Sequence, residues 1–185
     1  MKIVILERNS VGTDVSVDSI SEYGETTVYR NTTAEDVAER IKDAQIIVAN
    51  KVPLNESTLK DAKDVKLICE FATGYDNVDL NYCKSRGIKV ANVVNYSTDA
   101  VAQHTFAMCL YILEKLRHYD EYVKSGEYAA QDRFSNFDLP YTELAGKTWG
   151  IIGMGNLGKK VAEIAKAFGC RVIFYSVTGR SSCTE

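Results

Sequence analysis

The chain has no C-x-x-C pair: its five cysteines stand at positions 69, 83, 109, 170 and 183, and the only two histidines, His104 and His118, add no zinc-ligand spacing. That absence argues against a disulfide framework and against a structural metal, and it predicts reduced, mostly packed thiols. A strong charge of either sign is missing too. Net charge is -3, the pI is near 5.5, and Lys and Arg are scattered along the chain, so no nucleic-acid partner is expected. Long apolar runs are also absent. The N-terminal MKIVILERNS offers only Ile3 to Leu6 before charge resumes, too short for a signal h-region. The expectation is a cytoplasmic protein with no membrane partner. What remains is an ordinary globular composition, 45% hydrophobic and 25% charged, over 185 residues. Such a chain holds one domain or two small ones with a real core.

Five apolar runs have strand length: KIVIL (2–6), TTVYR (26–30), QIIVA (45–49), KLICEFA (66–72) and KVAN (89–92). Several are apolar on both faces, which suits parallel strands covered by helices on either side. Between them lie TAEDVAERIKDA, with Thr33 as N-cap and Asp36 three residues on, then NESTLKDAKD, then NVDLNYCKSRG, which closes on Gly87. Each reads as a short amphipathic helix. The order βαβαβαβαβ predicts a doubly wound sheet over the first hundred residues or so.

STDAVAQHTFAMCLYILEKLRHYDEYVKSG then reads as one long helix capped by Ser97 or Thr98, with Val101, Thr105, Met108, Ile112 and Leu116 along one face. Phe106, Leu110 and Leu113 widen that face, so burial on more than one side is expected, as in a helix wedged between domains or subunits. QDRFSNFDLPYTELAGK, with Pro140, reads as a surface connection, and a second sheet is expected to begin near Lys147.

After that connection, TWGIIG reads as a strand, LGKKVAEIAKAFG as a helix closed by Gly169, and RVIFYS as the next strand. Gly153, Gly155 and Gly158 at the first junction supply G-x-G-x-x-G. In that context the first glycine makes a tight turn, the second lets the backbone approach a pyrophosphate, and the third lets helix and strand pack closely. Gly153, Met154, Gly155, Asn156, Leu157 and Gly158 are therefore candidate cofactor-binding residues; the alternative is a bare structural turn. The acid that usually follows at the end of the second strand is missing. Tyr175 and Ser176 stand there, with no carboxylate until Glu185. Nothing there repels a 2'-phosphate, and Arg180 can bind one, so of the two NAD(P) forms NADP is slightly favoured. The alternative for Arg180 is a solvated loop cation.

Three segments, FATGYDNVDL (71–80), NYSTDAVAQHTFAMCL (95–110) and LAGKTWGIIGMGNLGKKVAEIAKAFGCRV (144–172), resemble in order and spacing the D-isomer-specific 2-hydroxyacid dehydrogenases. The hinge helix and the YSVTGR ending are most similar to the hydroxypyruvate and glyoxylate reductase or glycerate dehydrogenase branches. The resemblance implies a flavodoxin-like substrate domain over 1–97, an interdomain hinge helix over 98–125, and over 126–185 part of a Rossmann dinucleotide-binding domain, its first βαβ, both with parallel sheets. It implies that Thr73, Gly74 and Tyr75 face the cleft and hold a substrate carboxylate through backbone N–H groups, and that Lys51, in NKVPLNE, meets the substrate. Gly74 and Asn77 as simple turn builders, and Lys51 as a surface lysine, are the alternatives. His104 resembles a packed structural histidine of the hinge helix and not the acid-base.

The resemblance further implies reduction of a small 2-oxo acid, or oxidation of the 2-hydroxy acid, and a homodimer formed over the hinge helix. The arginine, histidine and carboxylate that this chemistry needs lie downstream of the fingerprint in the family. No position here matches them, so no catalytic residue is assigned. The expectation is a truncated reductase inactive alone; the alternative is a non-catalytic nucleotide-binding or interaction module.

Overall fold

Two-sided apolar strands need cover on both faces, and the first ninety or so residues provide it. In the computed structural model, which describes Met1–Ser176 and Gly179, β1 (Lys2–Ile5), β2 (Glu25–Val28), β3 (Ile46–Ala49), β4 (Leu67–Glu70) and β5 (Lys89–Ala91) form one sheet. Their order is β2-β1-β3-β4-β5 and every pairing is parallel. This is the flavodoxin-like order, and its reversal between β1 and β3 opens a crevice at the C-terminal strand ends. Alternation along β1 sends Val4 and Leu6 to one face and Ile3 and Ile5 to the other. The first face packs with Val37, Ile41, Leu54, Leu59 and Cys83 from the helical side. The second is covered by Val17 and Ile20.

Those last two residues mark a departure from the expected alternation. Between β1 and β2 runs no α-helix, only 3-10 helices at Arg8–Ser10 and Asp18–Tyr23. The segment is rich in Ser and Asp, whose side chains compete for backbone partners. Ser10 Oγ donates to the Glu7 carbonyl and Asp18 N–H to Ser16 Oγ, while the Arg8 guanidinium donates to the carbonyls of Val11 and Val15.

The other crossovers are helical but short. α1 (Val37–Ile41) starts after Asp36 rather than Thr33: the Thr33 carbonyl accepts a turn bond from Asp36 N–H, and the Asp36 carboxylate pairs with Arg40 at 3.0 Å. α2 (Glu56–Leu59) opens with a reciprocal box in which Asn55 accepts from Ser57 N–H and Thr58 Oγ1 accepts from Asn55 N–H. α3 (Leu80–Ser85) is capped by Asp79, which accepts from Tyr82 N–H, and ends at Gly87 with φ +71°.

The chain divides after Tyr96 into a first compact unit and a second that begins at Ser97. The second contains α4 (Thr98–Leu113), α5 (Leu116–Lys124), α6 (Glu127–Ala130), β6 (Thr148–Ile152), α7 (Asn156–Ala167) and β7 (Arg171–Tyr175), with β6 and β7 parallel. The expected single long helix is therefore broken. Lys115, at φ +54°, takes the left-handed conformation just where the apolar run of α4 gives way to the polar LRHYDEYVK. The buried stripe of α4 also differs from the expected one. Ala102 and Phe106 are buried, whereas Val101, Met108, Ile112 and Leu116 are exposed. The reason is a ring stack: Phe106 lies against Trp149 at 4.6 Å and Phe168 at 5.4 Å between centroids, joined by Ala165 and Cys170. Residues 131–147 contain no helix or strand, and Phe134 and Phe137 are exposed, as in a surface connection. Among the described residues no helix is long and apolar enough to cross a membrane.

Candidate functional site

In the second unit the three fingerprint glycines have three different reasons to lack a side chain. Gly153, at φ +91°, follows β6 in a conformation that L side chains rarely adopt, and its N–H donates to the Tyr175 carbonyl at 2.9 Å. Gly158 lies where α7 meets the end of β6. A Cβ there would stand 2.2 Å from the Gly153 carbonyl oxygen and 3.3 Å from Ile151 Cγ2. Gly155 differs from both. It is the N-cap of α7 with an ordinary φ of -78°, and a Cβ would meet no atom of the protein within 4 Å. Open space over the backbone at a helix N-terminus is what a pyrophosphate requires.

The neighbouring candidates complete that turn. Met154 is buried under it, while Asn156 and Leu157 are exposed in the first turn of α7, which Lys159 N–H closes onto the Gly155 carbonyl. Tyr175 is exposed and Ser176 half-buried at the end of β7. Arg180 lies outside the described residues.

The first unit builds its candidate site at the C-terminal strand ends. The loop carrying Lys51 and the turn carrying Thr73, Gly74 and Tyr75 are brought together, because Leu54 N–H donates to the Asn77 carbonyl and Asp79 N–H to the Leu54 carbonyl. Leu54 and Val78 thereby form a one-residue parallel bridge. Lys51, Thr73, Gly74 and Tyr75 are all exposed there. Thr73 is partly committed: its hydroxyl donates to the Val93 carbonyl, and its own carbonyl accepts from Asn92 Nδ2 at 2.7 Å. Asn77 does more than build a turn, since Nδ2 donates both to the Val52 carbonyl at 3.0 Å and to Glu70 Oε1 at 3.1 Å.

Two carboxylates missed by the motif reading hold this arrangement. Glu7, just past β1, accepts backbone N–H bonds from Asn50, Lys51 and Val52 on one oxygen, at 2.8, 2.8 and 3.2 Å. Glu70, the last residue of β4, is only 2% exposed. Burial pushes its carboxyl above the usual glutamate range; the Asn77 hydrogen bond and the Lys51 charge oppose this, and Glu7 and Asp76 add to it. A sequence signal existed for both: each is a carboxylate at the C-terminal end of an apolar strand, the edge where parallel sheets gather ligands. Replacing Glu7 by Gln is expected to destabilise the first unit by about 1–2 kcal/mol, the net worth of charge-assisted bonds to partly buried amides. Thermal denaturation of the variant checks this.

His104, which the resemblance implies to be packed, is exposed on α4. The face containing Phe106 is the packed one, and His104 lies outside it. Among the described residues no group of three or more His, Cys, Asp or Glu is placed to hold a metal.

A flavodoxin-like parallel unit followed by a β-α-β with this glycine turn defines an α/β protein of the dinucleotide-binding class. The family model "D-isomer specific 2-hydroxyacid dehydrogenase, catalytic domain" matches residues 3–184, and the chain belongs to that family. A glycerate dehydrogenase from Methylorubrum extorquens is 37% identical over 95% of this chain and 56% of its own length. An acyclic imino acid reductase solved in complex with NADPH and D-Arg is 28% identical with a TM-score of 0.81, covering 98% of this chain and 58% of that one. A D-lactate dehydrogenase from Aquifex aeolicus, solved with NAD and lactic acid, is 29% identical with a TM-score of 0.77, covering 98% and 53%. The chain thus spans little more than half the length of these relatives.

Proposed function

We propose that this chain supplies the substrate-facing turns and the first nucleotide-binding unit of an NAD(P)-dependent reductase of small 2-oxo acids such as hydroxypyruvate or glyoxylate. The observation that carries the reading is the glycine turn, where Gly158 is closed by packing and Gly155 is left open above the helix N-terminus. Residues 153–158 would hold the pyrophosphate through backbone N–H groups, with Tyr175 and Ser176 on the ribose side. Arg180 would meet a 2'-phosphate, which with the missing acid leans the choice toward NADP. The nicotinamide cofactor held by these residues would supply or accept a hydride. In the first unit the N–H groups of the Thr73–Tyr75 turn and the Lys51 ammonium would hold the oxo-acid carboxylate, an anion suited to such a backbone concavity.

Residues 1–97 serve in this reading as substrate domain, 98–125 as hinge helix and 126–185 as part of the nucleotide domain. The exposed apolar face of α4 supports assembly as a homodimer. Orientation of the oxo acid falls to an arginine, and proton transfer to its oxygen to a histidine tuned by a carboxylate, for which this chain offers no matching position, so the 185 residues alone are expected to show no turnover above a blank. The experiment has two parts. Residues 1–176 are grafted in place of the matching part of the glycerate dehydrogenase relative, and oxidation of NADH and NADPH by hydroxypyruvate and glyoxylate is followed for the chimera and for the chain alone. A folded chimera that reduces neither acid contradicts the substrate reading. Turnover by the chain alone shows that the proton-transferring groups lie within it.

A further inference from the structure

Glu7 and Glu70 place carboxyls at the same edge of one sheet under opposite conditions. Three backbone N–H groups converge on Glu7 Oε2. Glu70 has a single donor, Asn77 Nδ2 on Oε1, and its Oε2 is buried with no hydrogen-bond partner among the described residues. A buried carboxylate with one donor is costly, and protonation removes the buried charge, the larger part of that cost. The ionisable groups that face it are Glu7 from the end of β1, Lys51 from the loop after β3, Asp76 from the turn after β4 and Cys69 beside it on β4; two of the three charged ones are acidic.

We propose that Glu70 is a positioning residue that, as the neutral acid, fastens the 50–54 loop to the 73–78 turn through Asn77 and releases them when it ionises. The geometry gives the coupling: one Asn77 side chain bridges Glu70 and Val52, while the Asn77 carbonyl receives Leu54 N–H. Ionisation of Glu70 sets a second negative charge near Glu7 on a buried side chain whose Oε2 has no partner among the described residues, with the Lys51 charge alone of the facing groups to oppose it. The charged side chain must then seek water, and Asn77 moves with it. Burial and the acidic neighbours raise the Glu70 pKa in the folded chain, which fixes the direction of the pH effect. Below about pH 4.3 both the folded and the unfolded chain carry a neutral glutamate here, and the contribution to stability is fully present. As pH rises the unfolded chain ionises first, and the contribution is lost until Glu70 itself ionises at its raised pKa. One consequence rests on the oxo-acid reading above: the same two segments then hold an oxo-acid carboxylate better at low pH.

The test uses the whole 185-residue chain with neither nucleotide nor oxo acid present. The Glu70 carboxyl carbon is followed by NMR from about pH 4 to about pH 9, together with exchange protection of the Leu54 and Asp79 amides corrected for intrinsic rates. The expected result is a Glu70 midpoint above the ordinary glutamate range and a loss of protection of about tenfold or more over the same interval. Glu70→Gln, neutral at every pH and able to accept from Asn77, is expected to flatten the profile. Two substitutions at exposed positions leave Glu70 itself in place and so do not depend on that variant folding. Asp76→Asn is expected to lower the midpoint and Lys51→Gln to raise it. A Glu70 midpoint in the ordinary range, protection that ignores the titration, or midpoints that fail to move as stated overturns the proposal. Glyoxylate added to the same samples separates the two readings. Absence of binding at every pH removes the oxo-acid consequence alone, and binding that ignores the Glu70 midpoint removes the link between them.

Discussion

Gly158→Ala is expected to lower the melting temperature of the second unit by about 10–20 °C, the effect of a loss of about 2–3 kcal/mol in a unit of this size. The new Cβ would stand 2.2 Å from the Gly153 carbonyl oxygen, and its neighbours there are backbone and the Ile151 methyl. None of these is the far end of a flexible side chain, so α7 must shift away from β6. Alanine's better helix propensity, about 1 kcal/mol over glycine, offsets only part of the strain. Gly155→Ala separates packing from ligand binding. Its Cβ meets nothing within 4 Å, and its φ of -78° suits any residue. The expected cost is the weaker N-cap, about 1 kcal/mol or less. Differential scanning calorimetry of the two variants checks the contrast, and equal losses contradict this account of the turn.

Phe106→Ala is expected to cost about 3–5 kcal/mol, the range for removing a buried aromatic, with the ring stack adding to the loss. Phe106 is 4% exposed between Trp149 and Phe168, so the deletion opens a void at the centre of the second unit's apolar cluster. Six residues along the same helix, Ile112 is 65% exposed, and Ile112→Ala in the isolated chain is expected to fall within about 0.5 kcal/mol of the parent. Chemical denaturation monitored through Trp149 fluorescence reports both. The reverse ranking contradicts the orientation of α4 found here and restores the face that periodicity favours.

That reversal shows where the sequence is legible. The five strands could be read because each is a short run of strand-forming residues between turn or helix signals, and several are apolar on both faces, a local pattern with few other uses. The glycine turn could be read because its three positions lie within six residues between a strand and a helix, all local information. The packed face of α4 could not. Hydrophobic residues line most of that helix, and the choice among faces is made by Trp149 and Phe168, more than forty residues away. The first crossover departs from expectation because connectivity suggests a helix where Ser hydroxyls and the Arg8 guanidinium satisfy the backbone around 3-10 turns instead.

The candidate substrate turns were found by resemblance to a family, while the two carboxylates that hold them were not. Glu7 reaches amides 43 to 45 residues away. Glu70 is an acid inside an otherwise apolar strand. Long-range pairing of that kind leaves no spacing to recognise, although an isolated carboxylate at the C-terminal end of a parallel strand is itself a sign worth reading.

The central claim is that residues 153–158 form a dinucleotide cradle whose open position is Gly155. Calorimetric titration of the parent chain and of Gly155→Ala with NADH and with NADPH tests it most directly. The parent is expected to bind at least one of the two and the variant, still folded, to bind it about tenfold or more weakly, a difference of about 1.4 kcal/mol or more. Binding of equal strength by both chains, or of neither nucleotide by a folded parent, contradicts it.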